Sequence, residues 1–311
     1  MKKKIFIDGR AGTTGLRIYE RLEARDDIEL IVLSDDERKD TAARKRALNE
    51  SDVAFLCLPD DAARESVSLI ENDRTVVIDT STAHRTLEGW TYGFPELSDN
   101  IAKSLPTSGR IAVPGCHASG FIALVYPLIE KGILPRDALL TCHSITGYSG
   151  GGKKMIAEYE DSGRSALLDA PRQYALGQTH KHLKEMKAIT GIESEPIFCP
   201  IVSDFYSGMT VTVPLFASQL CDGYTSEDIR AVYAGRYNTD IVSYVPVADE
   251  SGLISGSKLS GKDSMKISVC GNGERILLIA MYDNLGKGAS GAAVECLNYV
   301  LGADITEGLE I

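Results

Sequence analysis

Near its start the chain runs from a short apolar segment, Lys4–Asp8 (KIFID), straight into DGRAGTTG. Gly9, Gly12 and Gly15 there precede an amphipathic stretch carrying Leu16, Ile18, Tyr19 and Leu22. A strand that turns through glycines into a helix is the opening unit of a parallel sheet covered on both faces. The next hundred residues keep the alternation. LIVL (Leu30–Leu33), AFLCL (Ala54–Leu58) and VVID (Val76–Asp79) read as buried strands, and Thr41–Leu48 and Asp61–Asn72 as helices. Glycines in such a turn let backbone amides approach a pyrophosphate at a helix N-terminus. The spacing is GxxGxxG rather than GxGxxG, and glycines also serve tight βα turns for packing alone. Gly9, Ala11, Gly12, Thr13, Thr14 and Gly15 are the candidate cofactor-binding residues of this turn.

The end of the second strand, where a dinucleotide places its adenosine ribose, reads LSDDERKD and points two ways. Asp35 would favour the free 2′-hydroxyl of NAD, whereas Ser34 with Arg38 or Lys39 would cradle the 2′-phosphate of NADP. The same residues also make an ordinary solvated charge cluster.

From about residue 138 the pattern changes to longer strands, several with period-two alternation: Leu139–Thr146, Phe198–Ser203, Met209–Ala217, Met265–Cys270 and Arg275–Asp283. Helical segments near 153–160, 180–190 and 226–235 interrupt them, which reads as an α+β domain with a mixed or antiparallel sheet. GASGAAVECLNYVLG then closes the chain as a small-residue helix suited to return to the first domain. The predicted division is 1–115 plus 286–311 for the dinucleotide and 116–285 for catalysis, substrate and oligomer contacts. A length of 311 residues accommodates two such domains.

Acidic residues outnumber basic ones by 44 to 33, a net charge of −11 that disfavours nucleic acid or an anionic membrane as partner. The longest apolar stretch, Phe121–Ile129, is far short of the ~20 residues a spanning helix needs. MKKK leads directly into the first strand without a hydrophobic leader segment, so the expected location is the cytoplasm. Seven cysteines, odd in number and never in a CxxC pair, indicate neither a disulfide framework nor a metal cluster.

One thiol stands apart. IAVPGCHASGFIALVYPLIEKG sets Cys116 right after Pro114-Gly115, at the start of a long apolar helix. A helix N-terminus stabilises a thiolate, and its free amides can hold a developing oxyanion. The other six cysteines are expected to pack as small hydrophobes. A thiolate beside a nicotinamide suggests a thioester or thiohemiacetal on sulfur and hydride transfer at that carbon. Among five histidines, THKHLKEM offers His180 and His182 as acid/base, with Thr179 as N-cap. Residues two apart do not share a helix face, so only one is expected at the site; His182 has Glu185 at i+3 to orient it. His117, next to Cys116, should point about 100° away on the helix.

These motifs resemble N-acetyl-γ-glutamyl-phosphate reductase in its shorter, type 2 variant. The resemblance runs through GRAGTTG, DTSTAHR (79–85), YGFPEL (92–97), IAVPGCHASG, TGYSGGGKKM (146–155), YALGQTHKH (174–182) and DNLGKGASGAAV (283–294). It implies a Rossmann domain plus an α+β substrate and dimerisation domain, as in semialdehyde dehydrogenases. It also implies NADP(H) as cofactor, a small acyl phosphate as substrate and a homo-oligomer. By position it makes Cys116 the nucleophile and the histidine pair the acid/base, and puts Asn284 on the nicotinamide side. Arg85 and the Ser149–Lys154 loop, with Ser149, Gly150 and Lys153, are candidates for the acyl phosphate, which needs positive charge and amides. Arg85 reads equally as a surface salt bridge. Longer members carry PGCYPT where this chain has PGCHAS, and a basic residue where it has PIVSDFYSGM. The rival readings are aspartate-semialdehyde dehydrogenase or a related acyl-phosphate reductase, and a non-catalytic NADP(H)-binding sensor or scaffold.

Overall fold

The computed structural model describes residues 2–311, which divide into two units: 2–115 with 289–309, and 116–288 with 310–311. Gly286–Gly288 and the last two residues therefore belong with the second unit.

The first unit is built on β1 (Lys3–Asp8), α1 (Thr13–Leu22), β2 (Ile28–Ile31), α2 (Thr41–Glu50) and β3 (Val53–Leu56). It continues with α3 (Asp60–Ser68), β4 (Val76–Asp79), β5 (Thr91–Tyr92), α4 (Asp99–Ser104) and β6 (Arg110–Ala112). The strands form one parallel sheet in the order β2-β1-β3-β4-β6-β5. Alternation along each strand separates two cores. Ile5, Ile7, Val53 and Phe55 meet Ile18 and Leu22 of α1, while Phe6, Ala54 and Leu56 meet Ala47 and Leu48 of α2. β2 begins and ends two residues earlier than its apolar run suggests. Its pairing with β1 starts at Lys3↔Ile28, and Val32 has already left the sheet, half exposed. α3 also stops short of Asn72, whose carboxamide oxygen instead accepts the Arg74 and Thr75 N–H groups and turns the chain into β4.

The second unit holds α5 (Cys116–Glu130), β7 (Thr141–Gly147), α6 (Gly152–Glu160), β8 (Arg172–Gln173), α7 (His182–Thr190) and β9 (Ile197–Ser203). After these come β10 (Met209–Phe216), α8 (Ser226–Arg236), β11 (Val242–Tyr244), β12 (Met265–Gly271) and β13 (Arg275–Tyr282). Its seven-stranded sheet has the order β11-β12-β13-β10-β7-β9-β8 and is mixed: β7–β9 and β11–β12 are parallel, the other pairs antiparallel. α5 lies on one face, and fits so closely that a Cβ on Gly120 would come within 2.7 Å of Val211 and the Tyr282 hydroxyl. Pro127 inside α5 cannot donate to the Ala123 carbonyl one turn back. The Tyr237 hydroxyl, just past α8, donates to that carbonyl at 2.6 Å instead, and Tyr233 donates to Leu124. The other face is only partly covered. Residues 245–259 shield Ile279 and Met281, but Ile145, Ile197, Phe216 and Leu277 are between 39% and 62% exposed. The β7–β9 and β10–β13 registers place these four on one side.

The last helix, α9 (Gly291–Leu301), returns to the first unit through Ala292, Ala293, Val294, Cys296 and Leu297. Of the six cysteines expected to pack, only Cys142 and Cys296 are fully buried. Cys199 and Cys270 sit instead on strand positions facing the partly covered side, and Cys57 and Cys221 are half-buried as well.

Candidate active site

In the first unit β1 lies between β2 and β3, so successive βα connections leave it in opposite directions; such a switch point is where open parallel sheets bind ligands. A cavity of about 210 Å³ opens there at the carboxyl ends of the strands, lined by Gly9, Arg10, Ala11, Leu33, Arg38 and Arg44 among others. Gly9 has φ +87°, and a Cβ there would meet the Cys57 carbonyl oxygen at 2.3 Å. One on Gly15 would meet the Gly9 oxygen at 2.6 Å. Both glycines are thus demanded by the turn itself. Gly12 caps α1 without any side-chain cap, so Thr13, Thr14 and Gly15 present the helix's opening amides as a phosphate site would. Buried Asp8 beneath the turn accepts from Arg44 and from the Ser66 hydroxyl at 2.7 Å, tying α2 and α3 to the end of β1. In the ribose loop the Ser34 hydroxyl donates to the Glu37 carboxylate at 2.7 Å, while Arg38 lies 3.3 Å from Asp35. Arg38 is the one predicted residue of this loop that lines the cavity. A glycine turn without steric room for side chains, an uncapped helix start and guanidinium groups at the rim together fit a dinucleotide.

The second unit holds a separate cavity of about 300 Å³, lined by Cys116, His117, Gly150, Tyr174, His180 and His182 among others. Cys116 is the first residue of α5, and its surroundings are tight: a Cβ on Gly288 would sit 3.1 Å from the Cys116 Cβ. In a regular helix the Gly120 N–H would donate to the Cys116 carbonyl. Here the Tyr282 hydroxyl stands between them, accepting from Gly120 N–H at 3.0 Å and donating to the Cys116 carbonyl at 2.5 Å. The phenol stays protonated, because burial and then the nearby Cys116 charge hold its titration well above the ordinary range. The end of β13 thereby fixes the first turn of the helix that bears the thiol.

Both His180 and His182 reach the cavity, against the expectation of one. The reason is where α7 begins. It starts at His182, and the N-cap position is Lys181, whose side chain does not cap the helix, so Thr179 is not the cap and His180 is not helical. The His180 ring itself serves that end of the helix, its Nδ1 accepting the His182 N–H at 3.2 Å; the two ring centroids lie 4.6 Å apart. The loop carrying His180 contains two non-glycine residues at φ +53°, Ala175 and Gln178. Left-handed backbone of this kind costs on the order of 1–3 kcal/mol per residue. The Gln178 carboxamide offsets it by donating to the Phe198 carbonyl at 2.7 Å and accepting the Phe198 N–H at 2.8 Å, as a neighbouring strand would.

His117 was expected to point away and does not. Its buried ring lines the same cavity, with Nδ1 2.7 Å from the Ser144 hydroxyl and Nε2 2.6 Å from the Tyr174 hydroxyl. Tyr174 and Tyr282 are the site residues sequence reasoning missed. The only local sign of Tyr174 was its place in YALGQTHKH, and Tyr282 looked like the end of an apolar strand.

The remaining candidates separate. Gly150 lines the cavity, whereas Ser149 is buried and accepts from the Asn284 carboxamide at 3.0 Å. Asn284 also accepts the Gly208 N–H at 2.9 Å, so its amide joins two loops of the second unit. Lys153 is exposed on α6, and Glu185 is buried on α7 one turn from His182. Arg85 belongs to the first unit and is buried, not a surface ion pair. Its guanidinium donates to the Val113 and Thr80 carbonyls. Among the described residues no group of three or more His, Cys, Asp or Glu is arranged to hold a metal ion, and no helix is long and apolar enough to cross a membrane.

Two family models match the chain: the semialdehyde dehydrogenase NAD-binding domain over residues 4–104 and the semialdehyde dehydrogenase dimerisation domain over 116–284. Similar proteins include N-acetyl-gamma-glutamyl-phosphate reductase 2 of a Nostoc species, 45% identical over 97% of both chains. N-acetyl-gamma-glutamyl-phosphate reductase of a Chelativorans species is 47% identical over 97% of this chain and 99% of the relative. Among solved structures, aspartate semialdehyde dehydrogenase II of Vibrio cholerae superposes with a TM-score of 0.74 at 16% identity, over 97% of this chain and 99% of the other. The NADP complex of the Candida albicans aspartate semialdehyde dehydrogenase gives 0.66 at 16%, with the same coverage. At that identity the likeness is one of fold.

Proposed function

The chain belongs to the N-acetyl-γ-glutamyl-phosphate reductases of the semialdehyde dehydrogenase family, and from that premise we propose how its residues perform the reaction. The enzyme reduces N-acetyl-γ-glutamyl phosphate to N-acetylglutamate 5-semialdehyde with release of phosphate, a step of arginine biosynthesis, and its cofactor is NADP(H). The observation that carries the assignment of roles is the cavity shared by Cys116, at the start of α5, and the histidines of the β8–α7 segment.

The Cys116 thiolate attacks the γ-carbonyl carbon; the new C–S bond replaces the bond to phosphate, which leaves with the electron pair. Amides at the start of α5 stabilise both the thiolate and the oxyanion of this addition. Gly9–Gly15 and Arg38 of the first unit would hold NADPH, which when bound would supply the hydride for the thioester carbon. The thiohemiacetal oxygen left by that addition takes up a proton and then returns it, the C–S bond breaks, and the aldehyde departs as sulfur regains its electrons. His182, with Glu185 one turn further along α7, handles that proton. Gly150 and the loop around it are assigned to the phosphate. Asn284 and Tyr282 act as positioning residues, holding the walls on which Ser149 and Cys116 sit.

The reverse assay tests the reading directly. Given N-acetylglutamate semialdehyde, phosphate and NADP, the protein should form NADPH at a rate at least about 10²-fold above that with aspartate semialdehyde or with NAD. Equal or better turnover of aspartate semialdehyde would overturn the substrate.

As a member of a family with a dimerisation domain the protein is an oligomer, and we assign the contact to the uncovered sheet face. Ile145, Ile197, Phe216 and Leu277 form an apolar patch of the kind that marks an interface. Ile197→Asp puts a charge on this patch and is expected to halve the mass seen by light scattering. An unchanged mass would move the interface elsewhere. The reaction belongs in the cytoplasm, and the acidic surface suits neither nucleic acid nor an anionic membrane.

A further inference from the structure

His117, Ser144 and Tyr174 take no part in the steps above, yet they form one hydrogen-bonded chain at the catalytic cavity. The His117 ring is 3% exposed, bounded by Phe198, His180 and His182, with Ser144 on one nitrogen and Tyr174 on the other. Burial, reinforced by His180, pushes its titration down to about 3, and burial raises that of Tyr174, so both are neutral at physiological pH.

A neutral imidazole carries one N–H. With the proton on Nε2, the ring donates to the Tyr174 oxygen, Ser144 donates to Nδ1, and the phenol proton is left for the cavity. With the proton on Nδ1, Ser144 accepts, the phenol donates to Nε2, and an oxygen lone pair is left for the cavity. Tyr174 can therefore offer a donor or an acceptor with no change of charge. The same cavity includes Met155 and Val202 as apolar wall, and Lys181, His180 and His182 as basic groups. Among the described residues no Asp or Glu lines it. A free α-ammonium would meet the Lys181 ammonium there and no carboxylate, whereas an acylamino group brings an uncharged carbonyl, an N–H and an apolar cap.

We infer that Tyr174, held in place by His117 and Ser144, recognises the acylamino group of the substrate and is a specificity-determining residue of this enzyme. His117 acts through Tyr174 as a positioning residue. The inference rests on the proposed function and extends it to the end of the substrate remote from the reacting carbon.

The test compares N-acetylglutamate semialdehyde with glutarate semialdehyde, which lacks the acetamido group, in the reverse assay on the full-length protein. Tyr174→Phe is expected to lower the ratio of kcat/KM between the two by about tenfold, through KM for the acetylated substrate. His117→Phe should do the same. The double variant should lose no more than either single one, because the two residues act as a unit. Alkylation of Cys116 at the wild-type rate shows that each variant is folded. Equal losses on both substrates, a loss confined to kcat, or additive losses in the double variant would overturn the inference. If the wild-type protein fails to turn over N-acetylglutamate semialdehyde at all, it is the proposed function that falls.

Discussion

Replacing Cys116 by serine is expected to cut turnover by at least about 10⁴-fold while NADPH still binds. A cysteine with an ordinary pKa is already a few per cent thiolate at pH 7, and a helix start raises that fraction. A serine hydroxyl at the same place has no comparable anion, and a thioester cannot form. Cofactor binding is the internal control, because Gly9, Ala11, Arg38 and the rest of the nucleotide cavity belong to the other unit. Binding can be followed by NADPH fluorescence and turnover by absorbance. Residual activity within about tenfold of wild type would remove Cys116 from the mechanism. The same thiol should be the first alkylated: Cys142 and Cys296 are buried, burial pushes the Cys57 thiol up to about 12, and the partly buried Cys199, Cys221 and Cys270 lack a place at a helix start.

His182→Ala should lower kcat by about 10²–10⁴-fold, the usual contribution of a general acid/base, and remove one limb of the pH–rate profile. Alkylation of Cys116 should persist, separating proton transfer from nucleophile formation. His180→Ala is expected to do less, because the Nδ1 of that ring is engaged with the first amide of α7. Its loss resembles removal of a helix cap, about 1 kcal/mol of stability. If His180→Ala erased the limb and His182→Ala kept it, the two roles would be exchanged. His117 cannot substitute for either, since a ring that titrates near 3 is too weak a base to hold an extra proton at neutral pH.

The parts of this molecule that are local in sequence are the parts the sequence discloses. KIFID and VVID sit in the sheet because unbroken apolar runs have no other place to go, and the Gly9–Gly15 turn shows in the spacing of its glycines, with Gly15 crowded by the nearby Gly9 oxygen although Gly9 itself answers to the distant Cys57 carbonyl. The position of Cys116 at a helix start could be read from Pro114-Gly115 and the apolar run behind it. What stayed hidden depends on partners far along the chain. Tyr282 meets Cys116 across 166 residues and Tyr174 meets His117 across 57, and neither distance leaves a periodic trace. The error over the histidine pair was of a different kind. It assumed that a helix starts at the first residue able to cap it, whereas here a side chain already in the site serves as the cap.

Pro127 and Tyr237 form another such distant pair. The proline withdraws a donor from the helix that begins at Cys116, and a hydroxyl carried in from beyond α8 restores it at the Ala123 carbonyl. The hydroxyl of the tyrosine thus answers the missing donor of the proline. Among descendants of a common sequence the two should change together: a chain that gives up the proline is released from the tyrosine, and one that loses the tyrosine first inherits a defect in the helix behind its reactive thiol.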